Sequence, residues 1–206
     1  MYRAGNNSTK KAYSRLTRVC ARKFWLLSFA LLVSGAPQPA RTQSAADEYQ
    51  VKAAFLFHFA QFLAWPASTV NGGDPSLILC IFDDEPRRQE LQSTIEGKPI
   101  GSRVLHVRMI SQSQEIQGCN ILFLSRDEAR RQSSTLKGLR GMPVLTVGET
   151  SNFLSDGGMI RFHLDEGKVR FDINLATAES SHLEISSRLL LLATSVTRGG
   201  VVDRER

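Results

Sequence analysis

Three hydrophobic patterns follow one another along this chain, and each predicts a different element. The first is an apolar run, 24–33, of about ten residues interrupted only by Ser28, flanked by basic residues before it and by Gly35, Pro37 and Pro39 after it. The second begins at Asp47, where Val51, Ala54, Phe55, His58, Phe62 and Leu63 recur at three- and four-residue spacing. That period predicts a helix capped by Asp47 and running to about Ala64. Phe57 and Phe59 widen its apolar stripe past half the circumference, and Trp65-Pro66 ends it, because a residue before proline avoids the helical region. Beyond the loop at 71–75, the third pattern alternates short apolar runs with helical stretches.

In that third region, 77–82 reads as a buried strand and 86–95 as a helix stopped by Gly97. Residues 104–109 alternate as an edge strand would, and 120–124 is a short apolar strand. Ser125 is placed to cap a helix over 126–137, stopped by Gly138, and 143–147 is a further strand. Strand–helix alternation of this kind predicts a parallel sheet with helices on both faces. Residues 159–164 and 168–174, joined by Asp165-Glu166-Gly167, then read as a β-hairpin. Ile160, Phe162, Leu164, Val169, Phe171 and Ile173 form its apolar face. Arg161, His163, Lys168, Arg170, Asp172 and Asn174 form the polar one. A short helix at 175–180, capped by Asn174, and a final helix capped by Ser186 or Ser187 and running to about Val196 complete the reading. From Gly199 onward the chain is a polar, disordered tail. The expected fold is a compact single α/β domain over 47–198, a mostly parallel sheet flanked by helices plus a C-terminal β-hairpin.

Charge changes the picture at the N-terminus. The chain has 26 Lys+Arg and 20 Asp+Glu, formally +6. Arg3, Lys10, Lys11, Arg15, Arg18, Arg22, Lys23 and Arg41 all precede Asp47, and no acidic residue does. A basic leader, an apolar run too short for the roughly twenty residues of a bilayer span, and the small residues Ser44-Ala45-Ala46 together read as a cleaved signal peptide over 1–46. An anchoring amphipathic helix is the alternative. Removing the segment leaves 18 basic against 20 acidic residues. The basic balance that would suggest nucleic acid therefore leaves with the signal, and no nucleic-acid partner is expected. The remaining cysteines, Cys80 and Cys119, would sit in an oxidising compartment, the periplasm. There they form a natural disulfide pair, with two separately buried thiols as the alternative.

Catalytic and cofactor chemistry is poorly represented. There is no GxSxG elbow, no GxGxxG after the first strand and no Walker loop. Asp83-Asp84 sits where a Mg²⁺-binding phospho-acceptor site would begin. Such a site also needs an aspartate ending a central strand, and Ser125-Arg126 stands there, with Asp127 already in the next helix. Helix capping is the plainer reading of the two acids. His58, His106, His163 and His182 are scattered, and no metal ligand set is predicted. No catalytic residue and no cofactor is assigned, and a hydrolase would lack a nameable nucleophile–base pair. What stands out is surface. The aromatic first helix carries Phe55, Phe57, Phe59, Phe62 and Trp65, which belong either to the core or to an interface. The polar hairpin ladder of Arg161, Arg170, Asp172 and Asn174 is either a solvated face or a partner's register.

Five blocks resemble the YfiR family (DUF4154), in order and over nearly the whole of 47–198: 52–66, 139–149, 157–160, 169–174 and 185–190. The resemblance implies an exported regulator, not an enzyme. It would bind the periplasmic sensor domain of a membrane-bound diguanylate cyclase and hold the cytoplasmic cyclase inactive, restraining cyclic di-GMP synthesis and biofilm formation. Envelope stress, or capture by an outer-membrane lipoprotein, would release it. A homodimer is a further expected state. The resemblance also implies a Cys80–Cys119 disulfide; a second family disulfide has no counterpart, because no cysteine follows Cys119. The partner-binding candidates are Phe59, Phe62, Trp65, Arg161, Arg170, Asp172, Asn174 and Arg188. The alternative function is a periplasmic small-ligand sensor using the crevice at the carboxyl ends of the parallel strands, near Asp83, Ser125 and Gly148.

Overall fold

The apolar stripe of the first helix decides how the chain packs. In a computed structural model, which describes residues 45–66, 76–82, 88–198 and 201–203, α1 (Ala45–Gln61) buries Ala53, Leu56, Phe59 and Ala60 completely. These lie three to four residues apart and press one face onto a sheet. Phe59 stacks on Phe162 (5.6 Å between centroids) and meets Phe171 edge-on (5.0 Å). The helix stops before the expected Ala64. Its last carbonyls lack intrahelical donors, and the Trp65 indole Nε1–H supplies one to Ala60 O at 3.0 Å. Leu63–Ala64 (β1) then pairs antiparallel with Glu184–Ile185 (β9).

The main sheet is built from Ser76–Phe82 (β2), Lys98–Ile100 (β3), Arg103–Ile110 (β4), Ile121–Leu124 (β5), Leu145–Gly148 (β6), Ile160–Asp165 (β7), Lys168–Asn174 (β8), Ser195–Arg198 (β10) and Val201–Asp203 (β11). Its order is β11-β10-β8-β7-β6-β5-β2-β4-β3. The pairs β4–β2, β2–β5, β5–β6, β6–β7 and β8–β10 are parallel, and the hairpin β7–β8 is antiparallel. Every residue of β5 and β6 is buried, as expected for parallel strands covered on both faces. Odd residues of β2 and β5 (Leu79, Ile81, Ile121, Phe123) face one core with α1 and with α2 (Arg88–Ile95). Even residues (Cys80, Phe82, Leu122, Leu124) face a second core with Leu136 of α3 (Ala129–Gly138). The α/β fold with a mostly parallel sheet is as the patterning predicts.

Several boundaries differ. The β4 segment is not an edge, because β3 pairs antiparallel outside it. Ser125 makes no side-chain cap; Arg126–Glu128 forms a 3₁₀ turn before α3 begins. Asn174 does cap α4 (Leu175–Ser180), its Oδ1 accepting from Thr177 N–H at 3.2 Å. The final helix, α5, is one turn, Ser187–Leu190, capped by Ser186. It does not reach Val196, because the chain turns to bring Ser195–Arg198 alongside β8. Part of the expected tail, Val201–Asp203, pairs with β10. The alternation puts Leu164 on the apolar hairpin face, but it is 50% exposed, one residue pair from the turn end of the hairpin. Cys80 and Cys119 are joined, with Cα atoms 5.8 Å apart. The signal-peptide segment 1–44 and Asp83-Asp84 lie outside the described residues.

Candidate functional site

Two surfaces carry the residues singled out from the sequence, and the sheet separates them. The first is the carboxyl end of α1. Phe62 and Trp65 are half-buried against the first core. His58 is exposed, stacks on Phe62 (6.0 Å, 25°) and bonds Gln61 through Nδ1 at 3.2 Å. Phe62 O accepts the Ser186 N–H at 3.0 Å, and β1–β9 joins the two segments. Arg188 is exposed on α5, and the same segment continues into Leu191 and Leu192, 67% and 59% exposed. Phe59 does not belong to this surface: its side chain is fully buried, so its partner-binding assignment is corrected to a core role.

The second surface is the polar hairpin face. Strand register places Arg161 beside Gly148 and opposite Asp172, on the sheet side away from α1. Asp172 is 4% exposed, which corrects its assignment as a contact residue. Arg161 Nη2 reaches its Oδ2 at 2.5 Å, Ser195 Oγ donates to Oδ1 at 2.7 Å, and His163 Nδ1 lies 3.3 Å from Oδ2. The carboxylate thus ties β8 to β7 and β10. Asn174 is committed as the α4 cap, and its Nδ2–H also donates to Leu154 O at 3.3 Å. Of Arg161, Arg170, Asp172 and Asn174, Arg170 alone is exposed, across from His163.

The carboxyl ends of β5 and β6 open beside this face. Here Glu149, 9% exposed, accepts the Arg126 N–H at 3.1 Å and pairs with Lys52. Lys52 in turn holds Glu48 at 2.5 Å, so a buried cation fastens the start of α1 to the end of β6. Burying such charges is costly unless they are paired, which this arrangement achieves. Of the expected crevice residues, Ser125 is 2% exposed and its Oγ has no hydrogen-bond partner among the described residues. Gly148 has a packing role: a Cβ there would fall 2.1 Å from the Phe153 ring, and one at Gly158 would fall 2.2 Å from its other side. Asp83 is outside the described residues. The residues that do line the opening, Arg126, Glu149 and Ser151, are near neighbours in sequence of those expected; nothing in the periodicity marked them.

A third polar cluster surrounds the disulfide. Arg108 Nη2 lies 3.4 Å and 3.2 Å from the sulfurs of Cys80 and Cys119 and donates to the carbonyls of Glu115 and Gln117 at 3.1 and 2.8 Å. Glu115 accepts the N–H groups of Ser111 and Gln112, which holds its carboxyl below the usual carboxylate range. Glu96 is lowered too, first by its hydrogen bond with His106 (2.8 Å) and also by the Val107 N–H (2.7 Å). Among the described residues no group of three or more His, Cys, Asp or Glu gathers to hold a metal ion, and no helix is long and apolar enough to cross a membrane.

No curated protein matches the chain in sequence. Solved structures similar to it include two of low identity. The ABC domain in complex with L-Trp from Streptococcus pneumonia is 9% identical, covers 73% of this chain and 60% of its own, and has a TM-score of 0.48. A conserved domain protein from Vibrio cholerae O1 biovar El Tor is 11% identical, covers 72% and 60%, and has a TM-score of 0.47. The chain thus spans about 60% of the length of each. A family model, in contrast, matches residues 49–194, from the first turns of α1 to the residue before β10. The chain belongs to the YfiR/HmsC-like family (DUF4154).

Proposed function

We propose that this protein is a periplasmic negative regulator. It binds the periplasmic sensor domain of an inner-membrane diguanylate cyclase and holds the cyclase in its off state, limiting cyclic di-GMP synthesis and biofilm formation. Family membership over 49–194 is the observation that carries this reading. The disulfide is consistent with an oxidising compartment, and the segment 1–46 supplies an export signal.

The protein acts by affinity and not by catalysis. It binds one conformation of the sensor domain more tightly than the other and shifts the population by that difference. The contact surface is the carboxyl end of α1 with the segment after β9: Phe62, Trp65, Arg188, Leu191 and Leu192. The half-buried aromatics, with the exposed leucines on the segment after β9, supply the apolar centre that anchors an interface, and Arg188 a charged rim. The hairpin's Arg170 is exposed on the other sheet face and is available to a second partner, such as an outer-membrane lipoprotein whose capture of the regulator releases the cyclase.

The test is binding to the isolated sensor domain of a neighbouring cyclase. Trp65→Asp should weaken it more than tenfold. The Trp65 indole also holds the end of α1, so Leu191→Asp with Leu192→Asp, both exposed, serves as a second variant with the fold intact. Normal binding by both variants would remove this surface from the account.

A further inference from the structure

We infer that the cleft over the carboxyl ends of β5, β6 and β7 is a binding site for a small organic carboxylate with an apolar body, read out by Arg126. The cleft is open to solvent and measures ≈ 740 Å³, within the usual range for small-molecule sites, and its rim includes Arg126, Ser151, Arg161, His163 and Leu164. It stands next to the place where the chain reverses its direction across the sheet, between β2 and β5, which is where open α/β sheets take ligands.

The hydrogen-bonding inventory sets the ligand's charge. The carboxylates around the cleft are already engaged: Glu149 by Lys52 and the Arg126 N–H, Glu48 by Lys52, Glu128 by Arg131, and Asp172 by Arg161 and Ser195. Donor capacity is left over. The exposed guanidinium of Arg126 makes no hydrogen bond or ion pair among the described residues, whereas Arg161 is committed to Asp172 and Ser151 O. Spare donors beside spent acceptors call for an acceptor-rich ligand, and a guanidinium fork fits a carboxylate in two-point fashion. Leu164, 50% exposed at the rim, supplies an apolar wall. Such a ligand would differ from an inorganic anion in having a body to lay against it.

The rim is also pre-formed. Phe153, fully buried, is wedged between Gly148 and Gly158 and pins the 149–158 loop to the sheet. Gln132 Nε2 and Asn152 Nδ2 both donate to Asp156 Oδ2, at 2.8 and 2.7 Å, and Arg161 Nη1 donates to Ser151 O at 2.8 Å. A loop fixed from three directions loses little entropy when a ligand enters. The site shares no residue with the cyclase-binding surface, so it is tested on the purified protein alone.

The experiment is calorimetric titration with benzoate, phenylacetate and succinate, with inorganic phosphate as the anion lacking an apolar body, at matched ionic strength. At least one carboxylate should bind saturably with a millimolar or tighter Kd, raise Tm, and perturb amide resonances of Arg126 and Ser151. Arg126→Ala should raise that Kd about tenfold or more without lowering Tm in the absence of ligand. Absence of saturable binding for all three carboxylates at 10 times that range, equal binding by Arg126→Ala, or binding of phosphate as tight as that of every carboxylate would each overturn the proposal.

Discussion

Removing the disulfide should cost this fold a large share of its stability. Cys80 and Cys119 are 39 residues apart in sequence, and the bond closes that loop in the unfolded chain. On the chain-entropy account, a loop of this length removes about 13 cal/mol/K from the unfolded state, or about 4 kcal/mol at 25 °C. The loop contains β3, β4 and the turn leading to β5, so releasing it frees one whole wing of the sheet. Arg108 adds to the effect, because its guanidinium caps both sulfurs and ties them to the 115–117 turn. At about 2–4 °C per kcal/mol for a chain of this size, Tm should fall by roughly 8–16 °C. The assay is urea unfolding of the oxidised protein, the reduced protein and the Cys80→Ala plus Cys119→Ala variant, followed by fluorescence of Trp65. The urea m-value should rise on reduction, since an uncross-linked unfolded chain exposes more surface. A loss of under about 1 kcal/mol with an unchanged m-value would refute the argument that the bond acts through the unfolded state.

Three further substitutions probe the packing. Gly148→Ala should destabilise by about 1–3 kcal/mol, because the new methyl must displace the Phe153 ring; a neutral result in thermal unfolding would mean the loop yields freely. Phe59→Ala should cost about 3–5 kcal/mol, as for other buried aromatics, whereas a surface contact residue would cost little. Glu96 is ionised in the folded state below its usual value of 4.5, so it contributes stability above that value that is lost as pH falls through its folded pKa. Glu96→Gln should therefore flatten the acid limb of a stability–pH curve, and an unchanged limb would remove the Glu96–His106 pair as a cause.

The elements with strong internal pattern were legible without coordinates. The long stripe of α1, the apolar runs of β2 and β5, the Asp165-Glu166-Gly167 turn and the Asn174 cap all declare themselves locally. What stayed hidden depends on distant partners. The two-residue strands β1 and β9 have no period of their own and exist because they meet. Leu189 to Leu192 reads as helix, yet only Leu189 is buried and the chain leaves to join β8. Asp172 follows the alternation that should expose it, but β10 pairs beyond β8 and Ser195 covers it. The same reason hid the separation of the two candidate surfaces. Nothing local says that α1 packs on the Phe162–Phe171 side of the hairpin and leaves Arg161 and Arg170 on the other.

Capture of the partner tests the central claim most directly. The oxidised protein, immobilised and exposed to solubilised membranes of its own host, should retain one membrane protein carrying a cyclase domain, identified by mass spectrometry. The Leu191→Asp plus Leu192→Asp variant should lose it. Recovery of no membrane protein by the folded, disulfide-bonded chain would contradict the regulator account.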